Sequence, residues 1–208
     1  KAGKEVRSRD VRKVSDGGIE GLSVYAFSNE NWQRPKREIR FLCDVLNRFI
    51  KQDVAEIHAS GVQIKIIGSR VDLDAKVITQ LEYAEHLTAG NTKLKLVVAF
   101  NYGARQELAQ AAKALAELAV AGKLNPADIT PDVLEKALDT AGLPPVDLLI
   151  RTGGEQRVST FLLWQCAYAE FYFTPIFWPD FDIAVLSKAL AEYAARDRRF
   201  GGLKAQSA

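Results

Sequence analysis

The chain has 208 residues, 48% of them hydrophobic and 26% charged, at a formal net charge of +2, which is the composition of an ordinary soluble globular protein. Disordered, collagenous and coiled-coil classes are excluded, and the longest apolar run, five residues at Leu96–Phe100, falls far short of the ~18 that a membrane-spanning helix needs. A charge so near zero gives no overall pull toward nucleic acid, so any anion site must be local.

The predicted elements alternate along the chain. A helical period at Lys4–Val14 precedes a strand-like run at Leu22–Phe27. A long helical pattern, Lys36–Ala59, starts after Pro35, a residue suited to a first turn. Val62–Ile67 reads as a strand, Leu73–Leu87 as a helix and Leu94–Phe100 as a third strand. Helical patterns at Gln106–Ala121 and Pro131–Thr140 lead to a fourth strand, Val146–Ile150. The last helix, Asp182–Arg196, runs into the basic stretch Arg196–Arg199. Alternation of this kind predicts an α/β fold: a central, mainly parallel sheet flanked by helices. With no repeat, linker or low-complexity stretch, residues 1–208 read as a single domain.

In open α/β sheets, ligands bind beyond the carboxyl ends of the strands, and the polar residues of this chain gather there. Ser28–Pro35 follows the first strand, Asn101-Tyr102-Gly103 the third and Arg151–Ser159 the fourth. In the last of these, Arg151 and Arg157 flank two glycines and precede Ser159. Glycines allow backbone N–H groups to turn toward an anion, and each arginine offers a planar fork for two oxygens. The segment reads as a diphosphate cradle, or else as a solvated turn in which Glu155 pairs one arginine. It is not a Walker loop, because the required glycine-lysine spacing is absent.

Glu170 is a lone carboxylate among aromatic residues, and a divalent cation shared with a diphosphate would satisfy it if buried; a partly exposed glutamate is the plainer reading. Trp32, on a polar loop with Ser28, Asn31 and Arg34, reads as a lid, a ligand contact or a packed anchor. In Lys36–Ala59, apolar residues from Ile39 to Ile57 cover more than half of the circumference, wider than packing on one sheet face requires. The second apolar side would border a cavity, a partner chain or a second layer. His58 and His86 show no metal or triad spacing. Cys43 reads as core, and the two distant cysteines suggest a reducing compartment.

Taken together, these segments resemble the cis-prenyltransferases. The likeness lies in Tyr25–Pro35, Leu87–Thr92, Asn101–Gly103, Asp147–Tyr172, Trp178–Phe181 and Arg198–Gly202, in the family's order over essentially the whole chain. It implies the cis-prenyltransferase fold with an interior hydrophobic tunnel, in a homodimer. The reaction implied is repeated addition of isopentenyl diphosphate to farnesyl diphosphate with Mg2+ as cofactor, giving a long-chain undecaprenyl diphosphate used for cell-wall synthesis. By the same resemblance, Ser28 and Asn31 are catalytic, and Trp32, Arg34 and Glu38 line a mobile active-site loop with them. Arg151, Arg157 and Ser159 hold the diphosphate of isopentenyl diphosphate, Glu170 positions Mg2+, and Arg198 reaches a neighbouring subunit's site. Ala26 and Leu94 line the tunnel, Leu94 at its closed end. The expected setting is cytoplasmic, peripheral at the inner face of the plasma membrane, with transient membrane contact on product release and no nucleic-acid partner.

Three departures stand out. The family's Asp-Gly-Asn-Gly-Arg-Trp phosphate loop is not within these residues; Lys1-Ala2-Gly3 aligns just after it, and with no methionine in the chain a segment upstream of Lys1 is expected. Ala104 stands where the family often has glycine, and Thr160 where asparagine is common. A non-catalytic partner subunit of a heteromeric prenyltransferase is the alternative reading, and a nucleic-acid binder would rest on Arg196–Arg199 alone.

Overall fold

In a computed structural model of the chain, which describes residues 11, 14, 18–71 and 73–197, strands β1 (Gly21–Ser28), β2 (Val62–Ile67) and β3 (Leu94–Tyr102) form a parallel sheet in the order β1-β3-β2. Every residue of β3 except Lys95 is buried. A strand covered on both faces needs no polar alternation, which is why this segment reads as one continuous apolar run. The predicted helix at Lys4–Val14 falls largely outside the described residues; Val11 and Val14 are helical and buried.

β2 is an edge strand whose outward N–H groups are taken. The N–H of Ile64 donates to Thr88 Oγ1 at 2.9 Å, that of Ile66 to Glu85 Oε1 at 2.7 Å, and that of Gly68 to Asp139 Oδ2 at 2.9 Å. Asn91 Nδ2 closes the other end by donating to Val62 O at 2.7 Å. An edge with its donors satisfied cannot template another strand. The Leu87–Thr92 stretch is therefore an edge clamp.

Around this sheet the chain forms α1 (Lys36–Gln52), α2 (Val54–Ala59), α3 (Ala75–Thr88), α4 (Ala104–Val120) and α5 (Pro131–Glu135). The single helix expected over Lys36–Ala59 is thus two, divided at Asp53. The helix expected over Pro131–Thr140 stops at Glu135, because the Asp139 N–H is drawn to the buried Glu107 carboxylate at 3.0 Å instead of continuing the helical ladder. On α1 only Leu46 and Ile50 are buried; Ile39, Leu42, Val45 and Phe49 are half-buried and Phe41 is exposed. Cys43 is half-buried rather than core.

These elements belong to one compact unit, within Glu5–Pro144 and Ser159–Leu162; a second lies within Pro145–Val158 and from Leu163 on. In the second unit, β4 (Leu148–Arg151) pairs in parallel with β5 (Glu170–Phe173), and α6 (Ile183–Ala194) follows, its Asp182 side chain accepting from the Val185 N–H at 3.0 Å. The sequence reading did not anticipate β5, and it placed β4 two residues early. Arg151 is the last residue of that strand rather than the first of a loop.

Candidate active site

β1 and β3 are adjacent and parallel, so their carboxyl ends bring Ser28–Pro35 and Asn101–Gly103 together. Residues Asn29–Gln33 form a 3-10 turn. Asn31 turns its Oδ1 back to accept from the Ser28 N–H at 3.0 Å, so the two residues expected to be catalytic brace each other. Trp32 donates its indole N–H to Asn101 Oδ1 at 2.7 Å and packs edge-on against Phe27 at 5.1 Å. Asn29 Nδ2 donates to Gln106 Oε1 at 3.2 Å. Arg34, just before α1, and Glu38, in its first turn, both expected on the same loop, form an exposed ion pair of 3.5 Å.

Two glycines make this junction possible. A Cβ on Gly68, whose φ is +113°, would lie 2.2 Å from Phe100 O, and one on Gly103 would lie 2.5 Å from Asn29 Oδ1. Beneath them, the Tyr102 hydroxyl donates to Glu107 Oε2 at 2.6 Å. Burial and that carboxylate hold the Tyr102 phenol well above the ordinary tyrosine range.

Ser159 belongs to the same unit. Ser159, Thr160 and Leu162 all adopt left-handed backbone, with φ of 49°, 61° and 50°. Such φ is uncommon outside glycine and strained for β-branched threonine. Thr160 O accepts from the Ala104 N–H at 2.9 Å, and its hydroxyl donates to Glu30 Oε1 at 3.3 Å. Phe161 stacks on Tyr25 at 4.6 Å. The two departures noted in the sequence, Ala104 and Thr160, are therefore bonded to each other.

In the second unit, Arg151 lies 3.9 Å from Glu155 Oε2, and Arg157 pairs with the same oxygen. Both arginines converge on one carboxylate, more than the single pairing weighed from the sequence. The glycines behave differently from the expectation: the Gly153 N–H donates to Ile176 O at 2.8 Å and the Gly154 N–H to Thr174 O at 2.9 Å. With φ of 83° and 77° they turn the chain out of β4, and their N–H groups extend the β4–β5 pairing instead of facing an anion.

Glu170 accepts from Arg196 Nη1 at 2.8 Å and is half-buried. The partner of this carboxylate in the structure is a guanidinium of the basic stretch. Among the described residues no three His, Cys, Asp or Glu side chains converge as a metal site. Glu170 alone would supply only part of a Mg2+ shell, the rest falling to substrate phosphates and water. Cys166 is buried, and loss of hydration pushes its thiol up to about 11.

Of the two residues expected to line a tunnel, Leu94 is buried at the start of β3, opposite Val62. Ala26 is exposed near the end of β1, where the register with β3 skips between Tyr25 and Phe27. Arg198 lies outside the described residues. No described helix is long and apolar enough to cross a membrane. The roles of Asn101 and Glu107 escaped the sequence reading. The strand-ending Asn-Tyr-Gly was a signal for the first; a lone glutamate on a helix gave none for the second.

Comparison with known proteins agrees with this geometry. The sequence pattern of a family described as "Putative undecaprenyl diphosphate synthase" matches residues 1–201. An isoprenyl transferase of Agrobacterium fabrum is 48% identical over 206 residues, 99% of this chain and 83% of that protein. A ditrans,polycis-undecaprenyl-diphosphate synthase, (2E,6E)-farnesyl-diphosphate specific, of Xylella fastidiosa is 44% identical, covering 100% of this chain and 82% of its own. Among solved structures, lavandulyl diphosphate synthase from Lavandula x intermedia, in complex with dimethylallyl diphosphate, superposes with a TM-score of 0.90 at 38% identity, over 94% of this chain and 84% of that one.

Proposed function

The chain belongs to the undecaprenyl diphosphate synthase family and is a prenyltransferase, and from that premise we propose that it condenses isopentenyl diphosphate onto farnesyl diphosphate to build undecaprenyl diphosphate. The observation that carries the reading is the convergence of Arg151 and Arg157 on one carboxylate. Two forks that close on a carboxylate can close on a diphosphate, which presents more charge and more oxygens. By the family likeness alone, Ser159 is assigned a hydroxyl contact to that diphosphate.

In the reaction, the allylic carbon–oxygen bond breaks and diphosphate leaves. The homoallylic double bond of isopentenyl diphosphate forms the new carbon–carbon bond, and a proton is lost. The arginines hold the nucleophile still by its diphosphate, so positioning supplies much of the rate. Ser28, Asn31, Trp32, Arg34 and Glu38 line the active-site loop. The half-buried apolar side of α1, with Leu42, Val45 and Phe49, suits a lengthening hydrocarbon tail, and Leu94 would floor the channel.

Mg2+ enters this reading through the family alone, and Glu170 would contribute to holding it. One catalytic domain, a homodimer, a cytoplasmic location and brief contact with the inner face of the plasma membrane on product release complete the proposal. The product would feed cell-wall synthesis as a carrier-lipid precursor.

The test is incubation of the full-length protein with farnesyl diphosphate, radiolabelled isopentenyl diphosphate and Mg2+, with products resolved by chain length. A ladder ending in one long product supports the reading. Absence of incorporation returns it to the non-catalytic partner subunit.

A further inference from the structure

Asn101 closes β3 in left-handed backbone, φ 51°, and only 7% of its surface is exposed. Its amide is used on both sides. Nδ2 donates to Ser69 O at 2.9 Å and to Val71 O at 3.4 Å, while Oδ1 accepts the Trp32 indole N–H at 2.7 Å. Its own carbonyl accepts from the Ser69 N–H at 3.1 Å. We propose that Asn101 is a positioning residue, a latch that fixes Trp32 and with it the Ser28–Pro35 loop over the sheet's carboxyl end. The proposal rests on reading that loop as part of the active site.

The residue type follows from the bonds. The position needs a donor toward two carbonyl oxygens, an acceptor toward an indole, and tolerance of positive φ. Aspartate would set an oxygen against the two carbonyls, and glycine would supply the backbone without the bonds; asparagine meets all three demands. Trp32 depends on it. The indole is 39% exposed and otherwise packs edge-on to Phe27. The loop's other side-chain ties, Asn29 to Gln106 at 3.2 Å and Glu30 to Thr160 at 3.3 Å, are longer and lie at exposed positions. Because Ser69 and Val71 lead out of β2, the latch also joins the loop to the β2–α3 connection.

Residues 1–208 include three tryptophans, each giving an indole signal in the 1H–15N spectrum, and Trp32→Phe identifies the relevant one. Asn101→Gly keeps the backbone and deletes the amide; Asn101→Asp keeps the size and deletes the donors. In Asn101→Gly the Trp32 signal should move and its exchange with water quicken by about tenfold or more, as for a lost hydrogen bond to a half-exposed donor; in Asn101→Asp, which keeps an acceptor for the indole but sets an oxygen against Ser69 O and Val71 O, the signal should also move. With labelled isopentenyl diphosphate, kcat should fall by about tenfold while KM changes less than about twofold, the split expected of a positioning loss. Asn101→Gly combined with Trp32→Phe should be no worse than Trp32→Phe alone. An unmoved indole signal, or losses that multiply in the double variant, overturns the latch. If the unaltered protein makes no product, the proposed function fails, while the indole signal still decides the latch.

Discussion

The Arg151 guanidinium stands 3.9 Å from the Glu155 carboxylate, at the end of β4, and Arg157 meets the same oxygen from the following turn. The two arginines differ in shelter: the Arg151 side chain is 30% exposed and that of Arg157 66%. A less hydrated guanidinium interacts more strongly with an anion.

Arg151→Ala is therefore expected to raise KM for isopentenyl diphosphate by roughly 10- to 100-fold, the span of one charge-assisted hydrogen bond, with a smaller rise for Arg157→Ala. Steady-state incorporation at varied isopentenyl diphosphate checks the order. Equal KM values in both variants and the parent would remove these arginines from the site.

Leu94→Ala should do two things. Leu94 is 1% exposed, so its truncation should cost about 2–5 kcal/mol in urea unfolding. If Leu94 floors the channel, surviving enzyme should make longer products, read from the product ladder.

Gly68→Ala tests the junction beneath the loop. A Cβ there meets Phe100 O at 2.2 Å, and φ is +113°, so a loss of about 2 kcal/mol or more in unfolding free energy is expected.

Thr160→Asn should stabilise. Asparagine adopts φ near +61° more readily than a β-branched residue, and relief of about 1 kcal/mol corresponds to roughly 2–4 °C in Tm for a chain of this size. Calorimetry of the two proteins decides it.

Alkaline pH should weaken the fold through Cys166. Its thiol is raised from 9.0 to about 11 by burial, so the folded state favours the protonated form. That contribution is complete below pH 9.0 and is lost as pH climbs from 9.0 to about 11. Urea unfolding across this window should show a decline that Cys166→Ala reduces.

The sequence made the α/β alternation legible because β3 and the helices carry strong periodicities, and it located the polar strand ends because glycines and arginines mark them. What it missed was decided by tertiary partners. The helix after Pro131 stops short because Glu107, distant in sequence, takes the Asp139 N–H. The Gly153 and Gly154 N–H groups were assigned to an anion because β5, whose carbonyls extend into Thr174 and Ile176, was too short to recognise. Nothing local to Glu170 hinted at its bond from Arg196, 26 residues on.

The skipped register at Ala26 sets a limit on how this protein can vary. In a pleated strand each residue changes side, so deleting the extra one would send Phe27 toward solvent and swing Ser28, with the turn behind it, to the opposite face. Insertions and deletions should thus be tolerated beyond Pro35 long before they are tolerated between Tyr25 and Ser28. Variants made to alter substrate range are best confined to side-chain exchanges in that stretch.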